Sequence, residues 1–201
     1  MNTLSKTRGM QLEIRPQNEG SAFDLLGVRF LTKAGGDAVN KAFYIAEMMF
    51  PVGAGIPLHH HPEPECFYVL AGACEFGTIE GGSVKWTRSE AGDSILIPID
   101  VPHGLRNESG ADARLLVIST HRHELFFQKA GTVADATKPP RPATAEDLEH
   151  VLRTAARYDT YAAAIEPSFT PGSIAVTPTL KMIPRCFWRL EPLEKPYDFL
   201  L

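Results

Sequence analysis

Short β-prone runs recur at close intervals between residues 27 and 120, and this recurrence constrains the fold more than any other feature of the chain. The runs read GVRFLT, AFYIAEMMF, CFYVLAGACEFGTI, SVKWTRS, SILIPI and RLLVIST. Between them stand AGGD, EGGS and ESGAD, which supply the glycines and Asp residues that hairpin turns need. Several short strands at this spacing predict an all-β sandwich or small barrel, in which closure or double-sheet packing removes exposed edges. The expected division of the chain is an N-terminal arm over 1–24, a barrel over 25–131 and a C-terminal part over 132–201.

The pattern changes after Gly131. ATKPPRPATAEDLEH opens with prolines that cannot continue a strand ladder, then places Asp147 three residues after Thr144 as an approximate capping box. A helix is predicted from Ala145 to about Tyr158. Leu148, Val151, Leu152 and Ala155 fall at i, i+3, i+4 and i+7 on one apolar face, which is expected to cover the barrel. Beyond it lies a proline-punctuated extension that carries Phe169, Phe187, Trp188, Tyr197 and Phe199. It is too aromatic for a disordered tail and is expected to wrap its own barrel or a neighbour's.

A chain of 201 residues with 44% hydrophobic and 22% charged residues can bury a core. The net charge of -4 and the absence of a basic cluster argue against nucleic acid or a membrane surface as partner. The N-terminal residues show no apolar signal segment, and no window approaches the ~20 apolar residues of a membrane span. A cytoplasmic protein is the expectation. Cys66, Cys74 and Cys186 are too irregularly spaced for a disulfide framework or a zinc knuckle, and read as reduced core thiols.

The chemistry concentrates in GAGIPLHHHPEPECFYVLAG, residues 53–72. His59 and His61 are two apart, so on an extended strand both imidazoles project to one face and His60 to the other. Glu65 shares their parity, but a straight strand would carry it about 13 Å past His61, far beyond a shared ion. A bend must intervene, and Pro62 and Pro64 supply it because they lack the N–H of a ladder residue. One distant stretch, GDSILIPIDVPHGLRN, is equipped to add a further ligand, His103. HRHE at 121–124 superficially repeats the H-x-H pattern but lacks a partner motif, so it reads as polar residues at the barrel mouth.

Gly53, His59, His61, Glu65 and Gly72 match the spacing of the first cupin motif, and Gly92, Pro98, His103 and Asn107 match the second. Asp100 stands where the second motif has a glycine, and Asp is among the better substitutes where φ is positive. The chain resembles cupins over roughly 31–127. This resemblance implies a jelly-roll β-barrel with a divalent transition metal inside, held by His59, His61, Glu65 and His103. More narrowly, HELFFQKAG and DLEHVLRTAARYDT resemble single-domain bacterial cupins of the quercetin 2,3-dioxygenase-like kind. Phe67 and Val69, of the same parity as Glu65, are expected to line the cavity, and Asn107 to fix backbone. The parent fold often pairs edge to edge, so a homodimer is expected.

Imidazole and carboxylate donors suit iron, manganese, nickel, cobalt, copper or zinc, and ligand type alone does not choose among them. The leading expectation is a mononuclear-metal dioxygenase acting on a small oxygen-bearing substrate, flavonol-, catechol- or diketone-like, with Glu65 also serving as general base. Two alternatives stay open. One is a cupin isomerase, decarboxylase or lyase that uses the metal as a Lewis acid; the other is a non-catalytic small-molecule-binding cupin.

Overall fold

The computed structural model describes residues 12–163. Twelve strands and two α-helices follow in order: β1 Ala22–Leu25, β2 Val28–Ala34, β3 Tyr44–Phe50, β4 Gly55–His60, β5 Glu65–Ala71, β6 Ala73–Glu80, β7 Ser83–Glu90, β8 Ser94–Ile97, β9 His103–Arg106, β10 Ala113–Ser119, α1 His121–Ala130, β11 Thr132–Val133, α2 Ala145–Ala155 and β12 Tyr161–Ala162. One sheet has the order β11-β1-β2-β3-β10-β5-β8 and the other β12-β4-β9-β6-β7. The two antiparallel sheets form the jelly roll expected of a cupin.

The alternation of apolar residues explains which face of each strand is inside. Tyr44, Ala46, Met48 and Phe50 of β3 are buried, while Ile45, Glu47 and Met49 between them are only partly so. Strand pairing aligns Met48, Leu115 and Val69 in one row, and Ala46, Val117 and Phe67 in the next. Glu65 occupies the same inward face of β5 as Phe67 and Val69. A carboxylate is thereby carried into a row otherwise filled by core residues.

The run CFYVLAGACEFGTI is one stretch in the sequence but two strands in the fold, because β5 and β6 belong to different sheets. Gly72 turns the chain between them with φ at +76°, and a Cβ there would stand 2.7 Å from the Asp112 carbonyl oxygen. Strand β1 starts at Ala22, within the span expected to be an arm, and pairs with β2 from Ala22↔Leu31 to Leu25↔Val28. Buried Arg29 ties this hairpin to the later chain through both carboxylate oxygens of Asp24 and the carbonyls of Asp135, Lys138 and Pro139.

Helix α1 occupies HRHELFFQKA, which the sequence reading assigned to the barrel mouth without a helix. Thr120 caps it by accepting from the His123 amide. Phe127 anchors it, packing 4.8 Å from Phe30 and 6.0 Å from Tyr44 between ring centroids. Buried Glu124 fastens its first turn by accepting from the Gly36 amide at 2.9 Å. A Cβ at position 35 would fall 2.6 Å from Glu124 Oε1, so a larger residue there would have to displace that carboxylate.

Helix α2 starts at the predicted Ala145 but ends at Ala155, with Ala156–Tyr158 following as a 3-10 turn; its capping box has Thr144 and Asp147 each accepting from the other's backbone N–H. Its apolar face is narrower than predicted. Val151 and Ala155 are buried, but Leu152 is exposed, because α2 packs chiefly on α1 rather than directly across the barrel. His150 Nε2 meets the Lys129 carbonyl at 2.9 Å across that contact. Thr144→Ala removes the cap and is expected to lower thermal stability by about 1 kcal/mol, measured as a shift in denaturant midpoint at unchanged slope. The aromatic extension expected after α2 lies outside the described residues. Among the described residues no helix is long and apolar enough to cross a membrane.

Candidate metal centre

His59 lies near the end of β4, directly opposite His103 on β9, so the five-stranded sheet contributes two imidazoles in register. The chain leaves β4 at His61 and bends through Pro62 and Glu63 before re-entering as β5 at Glu65, in the seven-stranded sheet. The proline bend expected from the sequence is present. It brings Glu65 Oε2 to 3.4 Å from His61 Nε2 and 3.5 Å from His103 Nε2. Ring centroids lie 4.3 Å apart for His59 and His103, 5.3 Å for His59 and His61, and 5.0 Å for His61 and His103.

Two backbone carbonyls fix the orientation of this cluster. His59 Nδ1 is 2.8 Å from the Pro57 oxygen, and His103 Nδ1 is 2.8 Å from the Val101 oxygen. A carbonyl only accepts, so both Nδ1 atoms carry the proton and both Nε2 atoms present a lone pair. The bend is held from outside by Arg122, which donates to buried Glu63 and, at 2.9 Å, to Asp159. Asp100 takes φ of +59° at the position where the motif has glycine, and its amide donates to the His61 carbonyl at 2.9 Å. Asn107 donates to the carbonyls of Phe50 and Ala111 and accepts from Ser109, which ties the β9–β10 loop to β3.

The structure therefore brings His59, His61 and His103 together as one group and sets Glu65 against His61 and His103. Phe67 and Val69 continue the inward face beyond Glu65 as packed core, Phe67 lying 5.2 Å from Phe76 between ring centroids. His60 points away, its side chain 36% exposed and its Nδ1 4.0 Å from Asp100. His123 of α1 was missed. Its ring is only 2% exposed, lies 4.4 Å from that of His61, and places Nδ1 3.2 Å from Glu65 Oε1. Two overlapping groups result, His59 with His61 and His103, and His61 with Glu65 and His123. A signal for α1 was present in the sequence: Thr120 and Gly131 bracket Phe126, Phe127 and Ala130, an apolar set at helical spacing.

Burial pushes the His59 imidazole down to about 3, helped by repulsion from His103 and His61. Burial likewise lowers His123 to about 3, against the pull of Glu65. Burial acts to raise Glu65, but His123, His103 and His61 outweigh it and hold the carboxyl well below its usual range. For His61 burial acts downward and is outweighed by Glu65, so its pKa is raised. The cluster thus sets an ionised carboxylate among imidazoles of which burial keeps His59 and His123 neutral, while the Glu65 charge favours a proton on His61.

Within this cluster, His61 Nδ1, His61 Nε2 and His103 Nε2 are buried with no hydrogen-bond partner among the described residues. Leaving such groups unsatisfied costs about 1–3 kcal/mol each. A cation would satisfy the Nε2 pair, because ligands at about 2.1 Å from one ion stand roughly 3–4 Å from each other. The observed separations of 3.4 and 3.5 Å from Glu65 Oε2 fall in that range. The residues fit a metal ion.

Residues 46–119 match the family model described as the cupin domain. The match lies within the jelly roll described above and marks residues 46–119 as a cupin domain. The polyketide cyclase RemF from Streptomyces resistomycificus is similar in structure, with 19% identity, 55% of this chain and 80% of that chain covered and a TM-score of 0.49. A predicted oxalate decarboxylase from Thermotoga maritima shows 24% identity over 54% of this chain and 98% of its own, at a TM-score of 0.46. An RmlC-like cupin from Shewanella frigidimarina shows 22% identity over 58% and 96%, at 0.45. A search of curated proteins returns no match.

Proposed function

We propose that the protein is a cytoplasmic cupin-type dioxygenase in which His59, His61, Glu65 and His103 hold one divalent transition metal. The observation that carries the reading is the approach of an ionised carboxylate to three clustered imidazoles, with buried Nε2 atoms of His61 and His103 that have no hydrogen-bond partner among the described residues. Such a metal supplies one-electron chemistry toward dioxygen and polarises an oxygen of a small flavonol-, catechol- or diketone-like substrate.

The chain's own residues define the rest. His59 and His103 are locked as Nδ1–H tautomers by Pro57 and Val101, so they present donors without reorganising. Phe67 and Val69 give the inward face beyond Glu65 an apolar lining. Glu65 is ionised and ready to accept a proton, but the imidazoles that keep it so also lower its proton affinity. It therefore acts as general base on a substrate hydroxyl once its Oε2 moves off His61 and His103. Assembly is proposed as a homodimer, supported by exposed apolar residues on one face of β8, β5 and β10: Leu96 and Ile118, which flank Cys66 in one row, and Tyr68 in the next. Leu96→Glu is expected to yield monomers by light scattering, and an unchanged mass overturns that assembly.

Elemental analysis of protein purified without added metal, followed by oxygen uptake against flavonols, catechols and diketones, tests the function. About one transition metal per chain and substrate-dependent oxygen consumption are expected. Substrate loss without oxygen uptake points instead to isomerase, decarboxylase or lyase chemistry, and metal binding without turnover to a binding protein.

A further inference from the structure

The hydrogen-bond arithmetic around helix α1 assigns a role to a residue outside the cupin motifs. Ser119 Oγ lies 2.9 Å from the Pro64 carbonyl oxygen and 2.9 Å from His123 Nδ1. A hydroxyl has one proton and a carbonyl can only accept, so Ser119 donates to Pro64 and accepts from His123. His123 Nδ1 must then carry a proton. The same nitrogen is 3.2 Å from Glu65 Oε1, so a protonated edge faces the carboxylate. The other tautomer would set two lone pairs against each other at that distance.

The ring has little freedom to leave this position. It stacks on Phe127 at 4.1 Å between centroids, and its own backbone N–H is held by the Thr120 cap. Ser119 closes β10, and Pro64 immediately precedes Glu65, so strand end, bend and helix start are joined at one hydroxyl. The two oxygens of Glu65 are thereby divided. Oε1 faces His123, and Oε2 faces the Nε2 atoms of His61 and His103.

We propose that His123 is a positioning residue for Glu65, holding Oε1 toward α1 so that Oε2 alone is presented to the metal. The inference rests on the reading of Glu65 as a metal ligand. A protonated Nδ1 donates no lone pair, so at this contact His123 acts on the carboxylate rather than on the ion. Helix α1 has a functional reason to sit at the end of the barrel: it sets the Nδ1–H edge of His123, whose proton is donated to Ser119 Oγ, 3.2 Å behind the Glu65 carboxylate.

Cobalt(II) serves as the probe, with affinity from competition titration and ligation from its visible absorption. His123→Asn places an amide N–H where Nδ1–H stood, His123→Gln extends the amide by one bond toward the Nε2 position, and His123→Leu keeps bulk without a donor. Leucine and glutamine are expected to weaken cobalt binding by about 10- to 100-fold and to alter the spectrum, whereas asparagine stays within a few-fold with the wild-type spectrum. A leucine variant that matches wild type in affinity and spectrum overturns the role. Rescue by glutamine and not asparagine also overturns it, because it makes His123 a ligand through Nε2. If the leucine variant fails to fold, judged by melting of the metal-free protein, the comparison of asparagine with glutamine decides. Wild-type protein that takes up no cobalt overturns the metal reading itself, a result distinct from normal uptake without His123.

Discussion

Alanine at His103 is expected to remove stoichiometric metal binding, while alanine at the neighbouring His60 leaves it intact. His103 is 4% exposed, its Nδ1 is bound to the Val101 carbonyl, and its Nε2 stands 3.5 Å from Glu65 Oε2 with no other partner. Loss of a hydrogen-bonding group behind a ligand lowers affinity by about 10- to 100-fold, so loss of a ligand lowers it by at least ~100-fold. His60 has the opposite parity and approaches only Asp100, at 4.0 Å. An exposed pair of that kind contributes about 0–1 kcal/mol. Metal per chain after purification, together with cobalt titration, measures the contrast. Equal content in the two variants removes His103 from the ligand set.

Glu65→Gln is expected to bind metal more weakly and, when fully loaded, to turn over about 10²- to 10⁴-fold more slowly than wild type. Glutamine keeps the size and one oxygen but lacks both the charge and the proton affinity of the carboxylate. The structure gives the charge a specific purpose, since imidazoles of His61, His103 and His123 all face it and hold it ionised. Oxygen uptake must be compared at matched metal occupancy, because a lost ion and a lost base both lower the rate. Full activity in metal-replete Glu65→Gln would falsify the base role while leaving the ligand role standing.

Much of the barrel was legible because strand-forming residues alternate between core and solvent. The runs at Tyr44–Phe50 and Ala113–Ser119 became strands with inward faces set by that alternation, whereas Val28–Ala34 is buried continuously from Val28 to Thr32 and Ser83–Glu90 is mostly exposed. Strand β9, His103–Arg106, was not legible: HGLR lacks a β-branched residue and owes its extended form to hydrogen bonds from β4 on one side and β6 on the other. Helix α1 was obscured for a different reason. HRHE reads as a polar histidine cluster, and its helical form depends on Phe126 and Phe127 finding the aromatic residues of β1, β2 and β3.

The sequence by itself determined the all-β architecture, the capped helix α2, the bend at Pro62–Pro64 and the candidate donors His59, His61, Glu65 and His103. These are local properties: side-chain parity along a strand, the missing proline N–H and the Thr144/Asp147 capping pair are written in neighbouring residues. Tertiary structure alone decided that β5 and β6 part at Gly72 into different sheets and that Leu152 of α2 stays exposed. It also decided that His123, 58 positions after Glu65 in the chain, closes on the second oxygen of that carboxylate. No periodicity records such a contact, because it follows from where an aromatic-anchored helix docks against the end of a barrel, and docking depends on surfaces that exist only once both elements have formed.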